Sequence, residues 1–289
     1  MMRMVLEVAE KDHRIRVVGM EGSRINPNVP RDEFQDYDIS FLVTEMESFR
    51  AGDAWLEVFG KRVIMQKPEA MELFPPELGN WFSYLMLFTD GVKMDLTLIP
   101  LEEVSLYLES DKLLKILLDK DGIITRPPVP TDEAFWIQEP TVACFEDCCN
   151  EFWFCATYVA KGLCRKELLY AAYHMESVVR VQLLTMLSWY VGAMRGFRFS
   201  IGKHNKYLFH YLSEREGTRL RKTYRMDSIA NCWNALEEAA ALFREVSLKV
   251  ALARGFTYPP YDHKVTEYIQ NIRNACQTQN RRAVIDRPH

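Results

Sequence analysis

Three aspartates stand in two segments whose alternation is typical of β-strands. Asp36 and Asp38 lie in "DYDISFLV", and Asp95 lies in "VKMDLTLIP". Because side chains i and i+2 of a strand point to the same face, Asp36 and Asp38 share one face. Asp95 likewise points away from its apolar neighbours Met94 and Leu96. If the two strands are neighbours in one sheet, three carboxylates converge on one spot.

Such a cluster of carboxylates predicts a bound cation. Like charges a few ångströms apart repel strongly and need compensation. Mg²⁺ supplies it in many proteins, because this ion favours carboxylates combined with substrate phosphates. Asp36, Asp38 and Asp95 are therefore the predicted metal ligands. For the Asp-x-Asp pair taken alone, an Asp-capped loop that runs into an edge strand is an equally open alternative.

A Gly-Ser pair, Gly22 and Ser23, follows the apolar segment of residues 14–20. Glycine lets a backbone approach a ligand closely, and exposed N–H groups with a hydroxyl can hold phosphate oxygens. A strand, Gly-Ser, a loop, Asp-x-Asp on the next strand and a third Asp on a later strand form an ordered set. This order favours a site for phosphate and metal over the capped-loop alternative.

The composition sets the class of protein that can carry this site. The chain has 289 residues, of which 48% are hydrophobic and 12% aromatic, which predicts one or two folded domains and excludes disorder. A formal charge of -4 argues against non-specific binding of nucleic acid. No apolar run approaches the roughly 18–20 residues of a membrane span, and no signal peptide is visible. We expect a cytoplasmic protein, either a monomer or a homodimer.

Cysteines are frequent in one segment of the chain. Five of the seven lie between Cys144 and Cys164, in an apolar pattern of helical period. The paired Cys-x-x-Cys spacing of a zinc site is absent. We therefore expect reduced thiols that pack as small hydrophobic side chains, in preference to metal ligands or disulfides.

The first half of the chain alternates short strands with helical patterns. The predicted strands are residues 14–20, 37–43, 61–66, 81–88 and 92–99. Asp90-Gly91 between the last two predicts a hairpin, so the sheet is at least partly antiparallel. Residues 44–60 and 101–110 have helical periodicity.

The pattern changes after a proline-rich segment, residues 126–136. Beyond it, helices are predicted over residues 141–163, 166–194 (two in succession), 227–253 and 261–276. The predicted fold class is α+β, with a mixed sheet and flanking helices followed by an α-helical bundle. The predicted domains are residues 1–135 and 136–280, with a flexible tail at 281–289.

The ordered set of Gly22-Ser23, Asp36-Tyr37-Asp38 and Asp95 resembles the nucleotidyltransferase superfamily that includes DNA polymerase β. Longer segments resemble the aminoglycoside 6-adenylyltransferases, which act on streptomycin. These segments are "FQDYDISFLVT", "FGKRVIMQKPE", "MELFPPELGNWFSYLMLF", "DLTLIP" and "EDCCNEFWF". The likeness covers about residues 4–270.

This resemblance implies an antibiotic-resistance enzyme that transfers AMP from Mg-ATP to the 6-hydroxyl of streptomycin and releases pyrophosphate. ATP and aminoglycoside would meet between the two domains. Asp36 and Asp38 would hold Mg²⁺, and Gly22 and Ser23 would grip the triphosphate. Asp95 would accept the hydroxyl proton or complete the metal shell, and the first role is slightly favoured.

Further residues follow from the resemblance with less support from the pattern. Arg24 is a candidate phosphate contact, equally open to interpretation as a solvated loop arginine. Lys203, or as second choice Lys206, would reach the ATP phosphates, against the alternative of surface lysines. The antibiotic would contact the carboxylates Asp147 and Glu151, Asn150 beside them, and Trp153 or Tyr84 as stacking partners. By pattern alone, Asp147 and Glu151 are an ordinary solvated face, and the resemblance favours the binding role.

Two rival functions stay open at this stage. The same chemistry could act on another aminoglycoside, a different small hydroxyl acceptor, or an RNA or protein hydroxyl. Alternatively, the fold could bind nucleotide or antibiotic without turnover. Three clustered carboxylates argue against the second rival, because a binding protein has no need of charges that repel one another.

Overall fold

The computed structural model describes the backbone of residues 1–285 and the side chains of residues 1–278. The chain forms two compact units, Met1–Ala134 and a second that begins at Phe135. The predicted domain boundary lies one residue further along the chain. Within the described residues, no helix combines the length and the apolar character needed to cross a membrane.

The first unit is built on a six-stranded mixed sheet, in the order β3-β4-β5-β2-β1-β6. β2 and β5 pair in parallel, and every other neighbouring pair is antiparallel. This confirms the predicted mixed sheet. The strands are β1 (Ile15–Glu21), β2 (Tyr37–Val43), β3 (Arg62–Gln66), β4 (Phe82–Phe88), β5 (Lys93–Pro100) and β6 (Leu114–Asp119).

The hairpin predicted at Asp90-Gly91 joins β4 to β5. Gly91 has a positive φ of 85°, and its N–H donates to the carbonyl of Phe88 at 3.0 Å. The carboxylate of Asp90 accepts from the N–H of Val92 at 3.1 Å. The turn therefore uses both of its signal residues, one for backbone conformation and one for hydrogen bonding.

Two elements of the first unit were not predicted. Helix α1 (Met2–Lys11) buries Val5 and Ala9, which are four residues apart and therefore lie on one helical face. Strand β6 is an edge strand in which only Leu114 is fully buried, so its sequence lacks a clear alternation. The helix predicted over residues 44–60 is shorter than expected: it divides into α2 (Met46–Arg50) and a 3-10 helix (Ala54–Phe59), separated by Gly52 and Asp53. The next helix is α3 (Val104–Ser110).

The second unit is helical, as predicted. Its helices are α4 (Val142–Cys164), α5 (Leu168–His174), α6 (Arg180–Arg195), α7 (Glu214–Lys222), α8 (Ile229–Arg254) and α9 (Asp262–Ile285), with a π-helical turn at Met175–Val179 between α5 and α6. The Thr141 hydroxyl caps α4 by accepting from the N–H of Cys144 at 3.1 Å. Phe152 of α4 stacks on Phe243 of α8 at 3.8 Å between ring centroids, in the centre of the core.

Helix α9 continues past its predicted end at residue 276. Residues 277–282 are polar and the segment that follows shows no helical period, which led to the prediction of a frayed end and a tail at 281–289. Glutamine, arginine and alanine are nevertheless good helix formers, and the helix runs to Ile285. Residues 286–289 of the predicted tail lie outside the described residues.

A capping box begins α7 and binds a buried acid. Ser213 Oγ accepts from the N–H of Glu216, and the Glu216 carboxylate accepts from the N–H of Ser213 at 3.0 Å. Burial alone would raise the pKa of Glu216, but hydrogen bonds from Ser213, Tyr190 and Lys249 outweigh it and lower this pKa. The carboxylate is therefore stabilised in its ionised form.

Two of the seven cysteines depart from the expectation of reduced thiols. The structure joins Cys164, at the end of α4, to Cys276 of α9 in a disulfide. These residues are 112 positions apart, and the packing of α9 on α4 brings them together, so their spacing along the chain does not indicate the bond. The other five cysteines are free, and all of them except Cys144 are buried in the core.

Candidate functional site

The strand register brings two of the predicted carboxylates side by side. β2 and β5 are parallel neighbours, and Asp38 is paired directly with Asp95. Ile39 and Leu96, the next residues along each strand, are fully buried in the core beneath the sheet. Asp36 directly precedes β2, and its carboxylate contacts the same lysine ammonium as that of Asp95. The predicted arrangement of neighbouring strands with acids away from the core is confirmed.

A lysine that was not predicted as a site residue lies between the acids. The Nζ atom of Lys93 is 2.9 Å from Asp36 Oδ2 and 2.7 Å from Asp95 Oδ2. Burial alone would lower the pKa of Lys93, but the hydrogen bonds from its ammonium to the two carboxylates outweigh burial and raise it. The sequence placed Lys93 on the same strand face as Asp95, two residues away, but gave no sign that its ammonium bridges to Asp36.

The carboxylates fit a cation, and the ammonium shows where one is held. The donors are carboxylate oxygens, the ligands that Mg²⁺ prefers. Asp95 Oδ1 is buried and has no hydrogen-bond partner among the described residues. Across the described part of the chain, however, no group of three or more His, Cys, Asp or Glu side chains is arranged to hold a metal ion. Magnesium therefore stays a prediction. In the structure, Asp36 and Asp95 both contact the ammonium of Lys93.

The predicted phosphate-binding turn lies directly against Asp38. Gly22 follows β1 and has φ 76° and ψ −155°, a conformation that is essentially restricted to glycine. A Cβ atom at this position would lie within 3.0 Å of Asp38 Oδ2, closer than real Cβ atoms approach other atoms. A 3-10 turn over Ser23–Ile25 follows. The absence of a side chain at Gly22 therefore lets the turn and the carboxylate occupy adjacent positions.

Arg24 braces this turn against the start of β2. Its guanidinium donates to the carbonyls of Gln35 at 2.6 Å and Asp36 at 3.0 Å, and lies 3.8 Å from the ring centroid of Tyr37. These contacts hold the backbone that carries the Asp-x-Asp pair. The phosphate contact suggested for Arg24 stays a prediction, and its observed contacts are structural.

A second group of residues next to the site was missed. Glu21, the last residue of β1, is paired with Asp38 in the sheet. Its Oε1 accepts hydrogen bonds from Tyr107 Oη and from Ser40 Oγ, the second at 2.9 Å. Glu21 as a residue is only partly exposed, and burial of its carboxyl group raises its pKa to about 7, although the hydrogen bonds from the two hydroxyls act to lower it. Tyr107 is 86 positions from Glu21, so no local pattern could have indicated the contact.

Tyr84 does not offer the stacking surface predicted for it. Only 1% of it is exposed, and its hydroxyl donates to the carbonyl of Phe49 at 3.3 Å. Its ring packs edge-on against Trp55 and Phe82. The alternation of β4 places Tyr84 on the core face of the sheet, which explains why it cannot contact an antibiotic.

In the helical unit, the predicted antibiotic contacts divide into two groups. Asp147, Asn150 and Glu151 are exposed on α4, whereas Trp153 is buried and donates its indole N–H to Tyr258 Oη at 3.2 Å. Asn150 and Trp153 line a cavity of about 410 Å³ between α4 and α9. Its other lining residues are Phe154, Thr157, Tyr158, Lys161, Tyr261, Val265 and Tyr268. Asp147 and Glu151 lie outside this lining.

Lys203 and Lys206 lie on a turn with unusual backbone conformation. Gly202, His204 and Asn205 have positive φ values of 78°, 57° and 61°. Both lysines are exposed, and Lys206 Nζ lies 5.0 Å from the ring centroid of Tyr207. Non-glycine residues with positive φ persist where the surroundings enforce them, often at functional positions. The contact of these lysines with ATP stays a prediction.

Comparison with known proteins identifies similar chains. The family model for streptomycin adenylyltransferase matches residues 1–272. The chain is 54% identical to an aminoglycoside 6-adenylyltransferase of Campylobacter jejuni, with 92% of each chain covered. It is 50% identical to that of Bacillus subtilis (94% of this chain, 96% of the relative) and 42% identical to that of Staphylococcus aureus (93% and 96%). A crystal structure of a Bacillus subtilis aminoglycoside 6-adenyltransferase is 46% identical over 94% of this chain and 97% of that one, with a TM-score of 0.47.

Proposed function

Because the chain belongs to the streptomycin adenylyltransferase family of nucleotidyltransferases, we propose that it transfers AMP from Mg-ATP to the 6-hydroxyl of streptomycin. The reaction releases pyrophosphate and inactivates the antibiotic in the cytoplasm, where ATP is available. One observation carries the proposal: Asp38 and Asp95 are paired on two adjacent strands next to the glycine turn at Gly22, and the carboxylate of Asp36, just before the first of these strands, contacts the same Lys93 ammonium as Asp95.

The turn and the carboxylates divide the binding of nucleotide between them. The backbone N–H groups of Gly22 and Ser23, with the Ser23 hydroxyl, bind the triphosphate oxygens. Asp36 and Asp38 would hold Mg²⁺, which when bound would neutralise the charge that develops on the leaving pyrophosphate. Catalysis of nucleotidyl transfer rests mostly on positioning and electrostatic stabilisation, so these residues account for most of it.

Asp95 accepts the proton of the attacking hydroxyl. Its two carboxylate oxygens have different surroundings, since Oδ2 receives a hydrogen bond from Lys93 and Oδ1 is buried without a partner in the described structure. A general base must lie within hydrogen-bond reach of the proton that it takes, so this role requires the attacking hydroxyl to be bound next to Asp95. We therefore propose the base role for Asp95 and keep metal binding as the alternative.

The acceptor is a polycation, and acidic side chains suit it. Guanidinium groups such as those of streptomycin pair with carboxylates through two parallel hydrogen bonds. Asp147 and Glu151 are exposed on the same face of α4, with Asn150 beside them. We propose that these three residues bind the antibiotic, and that Lys203 or Lys206 contacts the ATP phosphates.

The test is an acceptor panel. Incubating the protein with Mg-ATP and individual aminoglycosides should release pyrophosphate with streptomycin, and mass spectrometry should show a product heavier by one adenylyl group. Asp38→Asn should abolish the reaction while the circular-dichroism spectrum stays unchanged. Release with a different aminoglycoside but not with streptomycin would keep the chemistry and refute the substrate.

A further inference from the structure

Lys93 is placed to compete with a metal ion for the carboxylates. It precedes Asp95 by two residues on β5, so both side chains lie on the face of the sheet that also carries Asp36. Its single ammonium contacts one oxygen of each acid, at 2.9 Å and 2.7 Å. A metal ion shared by the two carboxylates would bind these same Oδ2 atoms.

We propose that Lys93 is the resident counter-cation of Asp36 and Asp95, and that it makes tight binding of a divalent cation conditional on nucleotide. The inference rests on the proposed function only in taking these carboxylates as the magnesium site. With Lys93 in place, one positive charge already compensates part of the negative charge of the carboxylates, so the site attracts a free divalent cation less strongly. The triphosphate adds negative charge and restores the attraction.

The side chain of Lys93 is suited to such an exchange. A lysine carries a compact charge on a flexible four-carbon stem, and 38% of this one is exposed, so it can move without disturbing the core. Phosphate oxygens that arrive with the nucleotide offer the ammonium new partners. An arginine would bind the carboxylates through a rigid planar fork and would leave them less readily.

A role in fold stability explains the arrangement less well. Ion pairs between partly exposed side chains contribute little to stability. The strand pairing of β2 with β5 and the buried residues beneath it already fix the positions of the acids. Without Lys93 the acids would repel each other, so the lysine mainly relieves a repulsion that the site itself creates.

The experiment measures Mn²⁺ affinity in the absence of nucleotide, by electron paramagnetic resonance or calorimetry. Lys93→Met should bind Mn²⁺ at least tenfold more tightly than the unaltered protein. Lys93→Arg should bind it no more tightly than the unaltered protein, because the charge is kept. Lys61→Met is the control, because it removes a positive charge from the same unit at a residue that takes part in none of the described ion pairs. It should change the Mn²⁺ affinity less than twofold. With a non-hydrolysable ATP analogue present, the difference between Lys93→Met and the unaltered protein should become smaller.

A second measurement guards against a misfolded variant. In thermal unfolding followed by circular dichroism, added Mg²⁺ should raise the midpoint of Lys93→Met by several degrees more than that of the unaltered protein. Equal Mn²⁺ affinities and equal Mg²⁺ shifts for the two proteins would overturn the inference. An adenylyl-transfer assay on the unaltered protein separates the two proposals: activity without an affinity change in Lys93→Met refutes this inference alone, and an affinity change without transfer to any acceptor refutes the proposed function alone.

Discussion

Replacing Gly22 by alanine tests the link between the turn and the carboxylate site. The backbone conformation at Gly22, φ 76° and ψ −155°, costs a non-glycine residue roughly 1–3 kcal/mol. The new Cβ would also overlap Asp38 Oδ2, so the carboxylate or the turn must shift. Forcing a shift of this kind in packed surroundings costs a further 1–3 kcal/mol or so. We expect the free energy of unfolding to fall by about 2–6 kcal/mol.

The loss of activity should exceed what unfolding alone explains. A displacement of about 1 Å at a positioned catalytic group can cost about 100-fold in rate. Pyrophosphate release with Mg-ATP and streptomycin, measured well below the unfolding midpoint, should therefore fall about 100-fold. Urea denaturation followed by circular dichroism gives the stability change on the same sample.

Two further variants separate the two parts of the effect. Gly79 also has a positive φ, 64°, but a Cβ there would have no atom within 4 Å, so Gly79→Ala carries backbone strain without overlap. It should cost about 1 kcal/mol and leave activity unchanged. In an Asp38→Ala background, Gly22→Ala should lose its steric part and cost only the backbone part. If Gly22→Ala behaves like Gly79→Ala in both stability and activity, the contact between turn and carboxylate does not matter.

Three other changes follow from the same structure. Gly19→Ala places a Cβ against the hydroxyl of buried Tyr107, so the free energy of unfolding should fall by about 1–3 kcal/mol. Adding Tyr107→Phe should restore part of this loss, and no recovery in the double variant would contradict the predicted contact. Because the pKa of Glu216 is lowered, its carboxylate stabilises the fold above the ordinary pKa of 4.5, and this stability is lost as the pH falls through the folded-state pKa. Glu216→Gln should therefore be less stable near pH 7, and its unfolding midpoint should fall less steeply in acid. Parallel acid curves of unfolding midpoint for the two proteins would count against this assignment. Cys276→Ser opens a loop of 112 residues and should cost up to about 4–5 kcal/mol of unfolding free energy, and dithiothreitol should destabilise the unaltered protein but not the variant. A reductant that leaves the unaltered protein unchanged would show that the Cys164–Cys276 bond does not contribute.

The parts of the site that the sequence predicted are those with a local cause. Alternation along one strand decides which face a side chain occupies, so the placement of Asp38 and Asp95 away from the core could be deduced before their partners were known. Asp90-Gly91 similarly defines its own turn. In each case, the information lies within a few consecutive residues.

The parts that could not be predicted depend on contacts between distant residues. Strand alternation gave the face of Lys93 but could not show that its ammonium reaches Asp36, 57 positions away. The bond from Tyr107 to Glu21 depends on how α3 packs on the sheet. For Tyr84 the local pattern was sufficient but was not applied. The alternation of β4 excludes the predicted contact with the antibiotic, because Phe82 and Met86, two residues to either side, are buried on the same face as Tyr84.

The two roles proposed for Asp95 are compatible once its oxygens are considered separately. Oδ2 points toward the shared cation position that Lys93 now fills, whereas Oδ1 is buried without a hydrogen bond among the described residues. With a cation held at Oδ2, Oδ1 would be the oxygen left to accept the proton of the attacking hydroxyl. Metal binding and proton acceptance would then belong to different atoms of one carboxylate. The two roles that the sequence left open for Asp95 therefore do not exclude each other. If both roles are correct, Asp95→Asn should lower adenylyl transfer, since asparagine would keep an oxygen for one role and present an amide to the other.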